Sequence, residues 1–255
     1  MTARKASIID LFSGPGGLSE GFFQHSAGKS FGPFVSVEMD PIACNTLRLR
    51  KLFHKLERKD KRKFYELAKS GRSLTWDSIE EEFLDHSDYL KNSVWEHTLG
   101  DLSAEETCKA IAGRLKKLGH KKGDELVLIG GPPCQAYSLI GRASRKQMKA
   151  KGKYTPEEDH RHFLYQWYLN IIPEFKPEVF IMENVPGILS SEINGKRIFE
   201  TILEDLRGLG YELHSLKADQ QSDLFNNNTD FKLSDVFVSN TYGMTGVDKD
   251  DYPAI

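Results

Sequence analysis

Short runs of β-branched and apolar residues alternate with longer stretches of helical periodicity along most of the chain. Strand-like runs occupy residues 8–12, 35–37, 126–129 and 179–182, with weaker ones at 95–99 and 211–216. Apolar positions spaced by three and four predict helices over 17–24, 41–53, 105–118, 163–172 and 196–209. Strands that alternate with helices are the pattern of βα units on a parallel sheet, an α/β architecture. No internal repeat breaks the alternation.

Two segments depart from it by charge. Residues 48–72 carry many Lys and Arg among Leu52, Phe53, Leu56, Phe64 and Leu67, which predicts an amphipathic surface helix with a solvated basic face. It forms part of a basic helical insertion over 48–94. The second basic segment, 142–153, starts at Arg142, lacks apolar periodicity and reads as a loop. Residues 219–255 are rich in Asn, Asp and Ser, which predicts a polar excursion or partial disorder after a domain spanning 1–218.

Composition narrows the class. The chain has 255 residues, of which 39% are hydrophobic, enough for one large core. A formal net charge of −2 leaves any nucleic-acid contact to local basic segments. The three cysteines, Cys44, Cys108 and Cys134, are widely spaced and form no CxxC pair, so a reducing compartment and no metal site are expected. No apolar run approaches the roughly 20 residues of a membrane span, and the chain reads as soluble, cytoplasmic and without a membrane partner.

Chemistry concentrates at the predicted strand ends. The first strand runs into Ser13-Gly14-Pro15-Gly16-Gly17 and a helix, a turn that lets backbone approach a ligand closely. It is not a dinucleotide fingerprint, because the third glycine would fall at Ser19. Glu38 follows the second strand about twenty residues on, where a carboxylate can accept from both ribose hydroxyls. Asp101 could accept from an adenine amino group. Standing alone, either acid reads equally as a helix cap or a surface carboxylate. Further on, Gly131-Pro132-Pro133-Cys134-Gln135 follows the strand 126–129. Two prolines fix the backbone before a cysteine at a strand's carboxyl end, a place for a nucleophile, although an isolated cysteine is more often a small buried hydrophobe. Glu183, opening Glu183-Asn184-Val185, ends the next strand and can hydrogen-bond a ring nitrogen and its exocyclic amine.

In this order, residues 10–17, Glu38, the Pro-Pro-Cys-Gln element and Glu183-Asn184-Val185 resemble the motif set of the cytosine-C5 DNA methyltransferases, over residues 8 to about 218. The resemblance implies a three-layer, Rossmann-like S-adenosylmethionine-dependent methyltransferase fold. It implies a cofactor site of Phe12, Ser13, Gly14, Gly16, Gly17, Glu38, Met39, Asp101, Leu102, Pro132 and Leu164, with S-adenosylhomocysteine as product. Cys134 is implied as the nucleophile and Glu183 as its partner, with Gln135, Ser138, Arg142, Asn184 and Val185 at the substrate. The implied substrate is double-stranded DNA, with the cytosine flipped out, in a restriction–modification setting.

The family's later arginine-containing segment, target-recognition region and closing helix are not recognisable here, so a sheet lacking its last strand and an exposed edge are expected. The same residues leave two other readings: an inactive or split-subunit cofactor-binding module that needs a second chain, and a tRNA cytosine-C5 methyltransferase. A nicotinamide-dependent oxidoreductase ranks below both.

Overall fold

The computed structural model describes residues 5–70, 75–131, 164–183, 192–193, 196–215 and 236–240. The chain divides into two compact units, Met1–Ile129 and Gly130–Ile255.

In the first unit, β1 (Ala6–Leu11), β2 (Phe31–Glu38), β3 (Val94–Glu96) and β4 (Leu126–Gly130) lie in the order β3-β2-β1-β4. β1 pairs parallel with β2, and β2 with β3. All six residues of β1 are buried, as expected of a strand covered on both faces. The connections are helical: α1 (Gly17–Gln24) follows β1, and α2 (Pro41–Lys55) follows β2. α2 starts sharply because the Asp40 carboxylate accepts from the Ile42 and Ala43 amides, with Pro41 in the first turn. α6 (Ala104–Lys117) starts on a reciprocal pair in which Ser103 and Glu106 each accept from the other's backbone.

The basic insertion is not one helix. α2 ends at Lys55, Leu56 turns extended, and α3 (Arg58–Lys69), α4 (Trp76–Glu82) and α5 (Ser87–Ser93) follow. Leu52, Leu56, Phe83 and Leu90 form its core, flanked by Phe64, Leu67, Trp76 and Tyr89. α3 contributes no fully buried residue. Its basic side chains are largely answered within the fold: Arg62 by Glu66 at 2.9 Å, Lys63 by Glu82 at 2.9 Å, and Lys61 over the Phe53 ring at 4.3 Å. This is a solvated face, as its periodicity predicts.

The second unit contains α7 (Gln166–Phe175), β5 (Val179–Met182), a short antiparallel pair β6 (Glu192–Ile193) and β7 (Lys196–Arg197), α8 (Ile198–Gly208), β8 (Tyr211–Ser215) and β9 (Val236–Asn240). Tyr168, Ile171, Phe180, Met182, Ile202 and Leu206 are buried in its core, and the Tyr168 and Phe180 rings lie 4.9 Å apart. The Tyr211 hydroxyl donates to the Pro177 carbonyl at 2.7 Å.

Three expectations change here. β9 pairs antiparallel with both β5 and β8, Val238 facing Phe180 on one side and Leu213 on the other. The polar stretch therefore contains a strand, and the sheet does not lack it as expected. Lys196 and Arg197 belong to a strand rather than opening the following helix. The helix expected at 163–172 runs from Gln166 to Phe175 and carries Pro173 inside its last turns, leaving Leu164 in the preceding turn.

Candidate functional site

Two sets of predicted residues are described, one in each unit. The first surrounds the turn after β1. Phe12 takes a φ of 54°, a left-handed conformation that is an outlier for an aromatic residue and marks strain at the strand's end. Ser13 is held underneath: its hydroxyl lies 2.8 Å from the Asp10 carbonyl and 3.2 Å from the Val37 carbonyl. Gly14 and Gly16 have φ values of 53° and 86°. The two glycines differ in what surrounds them. A Cβ on Gly16 would sit 2.7 Å from Leu47 Cδ2, whereas one on Gly14 or Gly17 would meet nothing within 4 Å. Gly16 is required by packing, and Gly14 and Gly17 face open space.

Glu38 joins this turn to the end of β2. Its Oε2 accepts the Gly14 N–H at 2.8 Å, and its Oε1 accepts those of Met39 and Asp40, each at 2.9 Å. Three backbone donors occupy a carboxylate that has roughly four acceptor directions, so capacity remains for a hydroxyl. Beside it Met39 is 62% exposed, and Leu102 is 37% exposed, offering apolar faces to a planar ring. Asp101 is exposed, with its amide donating to the Thr98 carbonyl at 3.1 Å. The His97 amide donates to the Glu38 carbonyl at 2.8 Å, tying the segment after β3 to the same strand end. Glycines with open space, a partly free carboxylate and exposed apolar side chains fit an adenosyl cofactor.

Two buried ionisable groups, Asp10 of β1 and Lys51 of α2, are ones that sequence reasoning did not single out. Burial pushes the Asp10 carboxyl up to about 7, and the Lys51 ammonium pulls it back most strongly. Burial likewise pushes Lys51 down to about 7 against the attraction of Asp10. The signal for Asp10 was present as one acid within an otherwise apolar strand. Cys44, by contrast, is buried with its thiol near the Glu38 carbonyl, at 3.3 Å, and burial pushes it up to about 12. That keeps it a thiol and excludes it as a nucleophile.

The second set is in the unit that starts at Gly130. Glu183, at the end of β5, is exposed and donates its backbone N–H to the Gly130 carbonyl at 2.9 Å. A Cβ on Gly131 would lie 2.7 Å from Glu183 Oε2 and 3.3 Å from its carbonyl. Glycine at 131 thus lets the Glu183 carboxylate lie across the chain just where the Pro-Pro-Cys-Gln segment begins. Pro132, Cys134, Gln135, Ser138, Arg142, Asn184 and Val185 lie outside the described residues, as does the loop 142–153. Among the described residues no group of His, Cys, Asp and Glu is arranged to hold a metal, and no helix is long and apolar enough to cross a membrane.

A family model for the C-5 cytosine-specific DNA methylases matches residues 93–223, just over half of the 255. The chain is 33% identical over 219 residues to a type II methyltransferase of Bacillus paralicheniformis, covering 82% of this chain and 46% of that protein. It is 30% identical to a type II methyltransferase of Haemophilus parahaemolyticus, covering 81% of this chain and 39% of that protein. It thus spans less than half the length of either. Among solved structures, a methyltransferase of Entamoeba histolytica superposes with a TM-score of 0.46 at 18% identity, over 84% of this chain and 47% of that one.

Proposed function

The chain belongs to the C-5 cytosine-specific DNA methylase family, and from that premise we propose that it takes part in methyl transfer to C5 of cytosine in double-stranded DNA, with Cys134 as nucleophile. The observation that carries this reading is the matched segment, which contains both Cys134 and Glu183. The activity belongs to the whole protein, including whatever accompanies these residues.

Phe12, Gly14, Gly16, Glu38, Met39, Asp101 and Leu102 would hold S-adenosylmethionine, and the family resemblance assigns Pro132 and Leu164 to the same cofactor. The cofactor supplies an electrophilic methyl on a sulfonium and leaves as the neutral thioether. The acceptor carbon is a weak nucleophile, and Cys134 answers that weakness. Its thiolate forms a bond to C6, the ring's electron pair moves to C5, and C5 takes the methyl. Glu183 supports the addition by hydrogen bonding at N3 and the exocyclic amine, where charge develops. Loss of the C5 proton to a base returns the electron pair to the ring and expels the thiolate. Both starting groups are thereby regenerated.

C6 is closed off in a stacked duplex, so the target base leaves the helix at a cost of roughly a few kcal/mol. Gln135, Ser138, Arg142, Asn184 and Val185 are the groups we assign to the flipped base and its flanking phosphates, Arg142 contributing charge. The setting we infer is a restriction–modification system in the bacterial cytoplasm.

Transfer of labelled methyl from S-adenosylmethionine to mixed-sequence duplex DNA tests the proposal, with Cys134→Ala and tRNA as parallel arms. DNA-directed transfer that Cys134→Ala abolishes is the expected result. Transfer that survives the substitution removes Cys134 from the mechanism, and transfer confined to tRNA reassigns the substrate.

A further inference from the structure

β3 is three residues long and lies at the sheet edge, with β2 as its one neighbour among the described strands. Backbone hydrogen bonds therefore hold it from one side only. Yet this short strand leads into residues 97–102, which carry Asp101 and Leu102 at the surface.

Side chains supply what the backbone does not. The Trp95 and His97 rings lie 4.1 Å apart with 4° between their planes, a stacked pair made by alternate residues at the strand's end. The Arg114 guanidinium of α6 lies 5.1 Å from the centroid of the Trp95 ring. The same guanidinium donates through Nη1 to the Lys91 carbonyl in the last turn of α5. Glu96, between the two rings in sequence, is held separately by Arg48 of α2 at 3.2 Å. The His97 amide carries the pairing past the strand, donating to the Glu38 carbonyl at 2.8 Å. Nε2 of His97 is buried and meets no hydrogen-bond partner among the described residues, so that atom contributes through the stack and not through a hydrogen bond.

The stack has a particular place in the fold. His97 ends the strand, Ser103 caps α6, and residues 98–102 span the gap, with the Asp101 amide donating to the Thr98 carbonyl at 3.1 Å. Arg114 reaches back from further along α6 to the Trp95 ring. The strand before the loop and the helix after it are thus joined by a guanidinium, an indole and an imidazole. Flat groups in contact restrict orientation as well as distance, which aliphatic contact does not. We propose that Trp95, His97 and Arg114 are positioning residues for Asp101: together they set the loop so that its carboxylate meets the exocyclic amine of the adenine ring, and so give the cofactor site its selectivity for an aminopurine. The inference rests on the cofactor reading of Glu38 and Asp101.

The test is calorimetric binding of S-adenosylhomocysteine and of S-inosylhomocysteine, in which an oxo group replaces the amine, with thermal unfolding of each protein. A carboxylate opposite the oxo group sets acceptor against acceptor, so wild type is expected to favour the amino ligand by about tenfold or more, and Asp101→Ala to lose that preference. His97→Leu removes the flat ring, and Arg114→Met removes the guanidinium while keeping a long apolar stem. Each is expected to lose most of the preference by weakening the amino ligand alone. A role in folding alone would weaken both ligands in equal proportion. His97→Phe restores a flat ring without nitrogen and is expected to keep the wild-type preference. If Arg114→Met fails to fold, the contrast between His97→Leu and His97→Phe carries the same expectation.

A preference unchanged in His97→Leu or in folded Arg114→Met overturns the proposal, as does an equal weakening of both ligands. A loss in His97→Phe as large as that in His97→Leu overturns it too, because the stack is then not the cause. A wild type that binds neither ligand, or both alike, overturns the cofactor reading of Asp101 and this inference with it, as does a preference that survives Asp101→Ala. A preference that Asp101→Ala abolishes and the stack variants leave untouched overturns the inference alone.

Discussion

Substituting Gly16 by alanine adds one methyl group at the start of α1, and two separate costs follow. At a φ of 86° an L-residue sits in the left-handed region, which costs about 1–2 kcal/mol. The new carbon would also lie 2.7 Å from Leu47 Cδ2. Leu47 is 1% exposed and has no open space to retreat into, so overpacking adds about 1–3 kcal/mol. The sum, about 2–5 kcal/mol, is a large part of the roughly 5–15 kcal/mol that holds a domain together. At about 2–4 °C per kcal/mol for a chain of this size, the melting temperature should fall by roughly 4–20 °C.

Gly14→Ala is the matched control. Its φ of 53° brings a similar strain of about 1–2 kcal/mol, but its methyl would meet nothing within 4 Å. Unfolding should therefore move by only a few degrees. Binding of S-adenosylhomocysteine should suffer instead, because the methyl enters the space where backbone is expected to approach the ligand. Thermal unfolding and calorimetry on both variants separate the effects. If Gly16→Ala melts within about a degree of wild type, or Gly14→Ala binds as wild type does, the division of roles between the two glycines is wrong.

Other positions yield shorter expectations. Gly131→Ala would press on Glu183 Oε2 and its carbonyl, so methyl transfer should fall tenfold or more with little loss of melting temperature; unaltered transfer would detach Gly131 from the placement of Glu183. Ser103→Ala removes one half of the reciprocal cap on α6 and should cost about 1 kcal/mol in denaturant unfolding, leaving ligand binding unchanged. Burial raises the Glu20 carboxyl, but Gln24, His54 and Arg50 outweigh it and leave the group below its ordinary 4.5. A depressed carboxylate contributes stability above the unfolded pKa and loses it as pH falls through the folded one, so Glu20→Gln should flatten the decline in melting temperature below about pH 4.5. An unchanged acid limb would show that the cluster of Glu20, His54 and Arg50 adds nothing to folding.

How far the sequence could be read depended on how local the determinants were. α2 begins where Asp40 and Pro41 say it should, because a cap and a fixed φ act within three residues. β5 matches its expected span because four consecutive apolar residues between polar flanks leave little choice. Phe12 was placed inside the first strand, yet the backbone turns left-handed there. Nothing in an aromatic side chain announces that conformation, which the surrounding turn imposes. β9 was missed although Val236-Phe237-Val238 has strand composition, because what makes it a strand is pairing with β5 and β8, residues distant in sequence.

Lys51 shows the same limit. It is one of many cations in a basic segment, although its spacing from Cys44 and Leu47 places it on the helix's inner stripe. Periodicity points it inward and its charge points it to the surface. What decides the conflict is the set of partners that folding brings to it, the Phe34 and Ser93 carbonyls. Those partners lie 17 and 42 positions away, beyond the reach of any local pattern. The strand ends that would carry the cofactor contacts could be found from glycines and acids alone. The carbonyls that receive the Lys51 ammonium appear only when the strands are side by side.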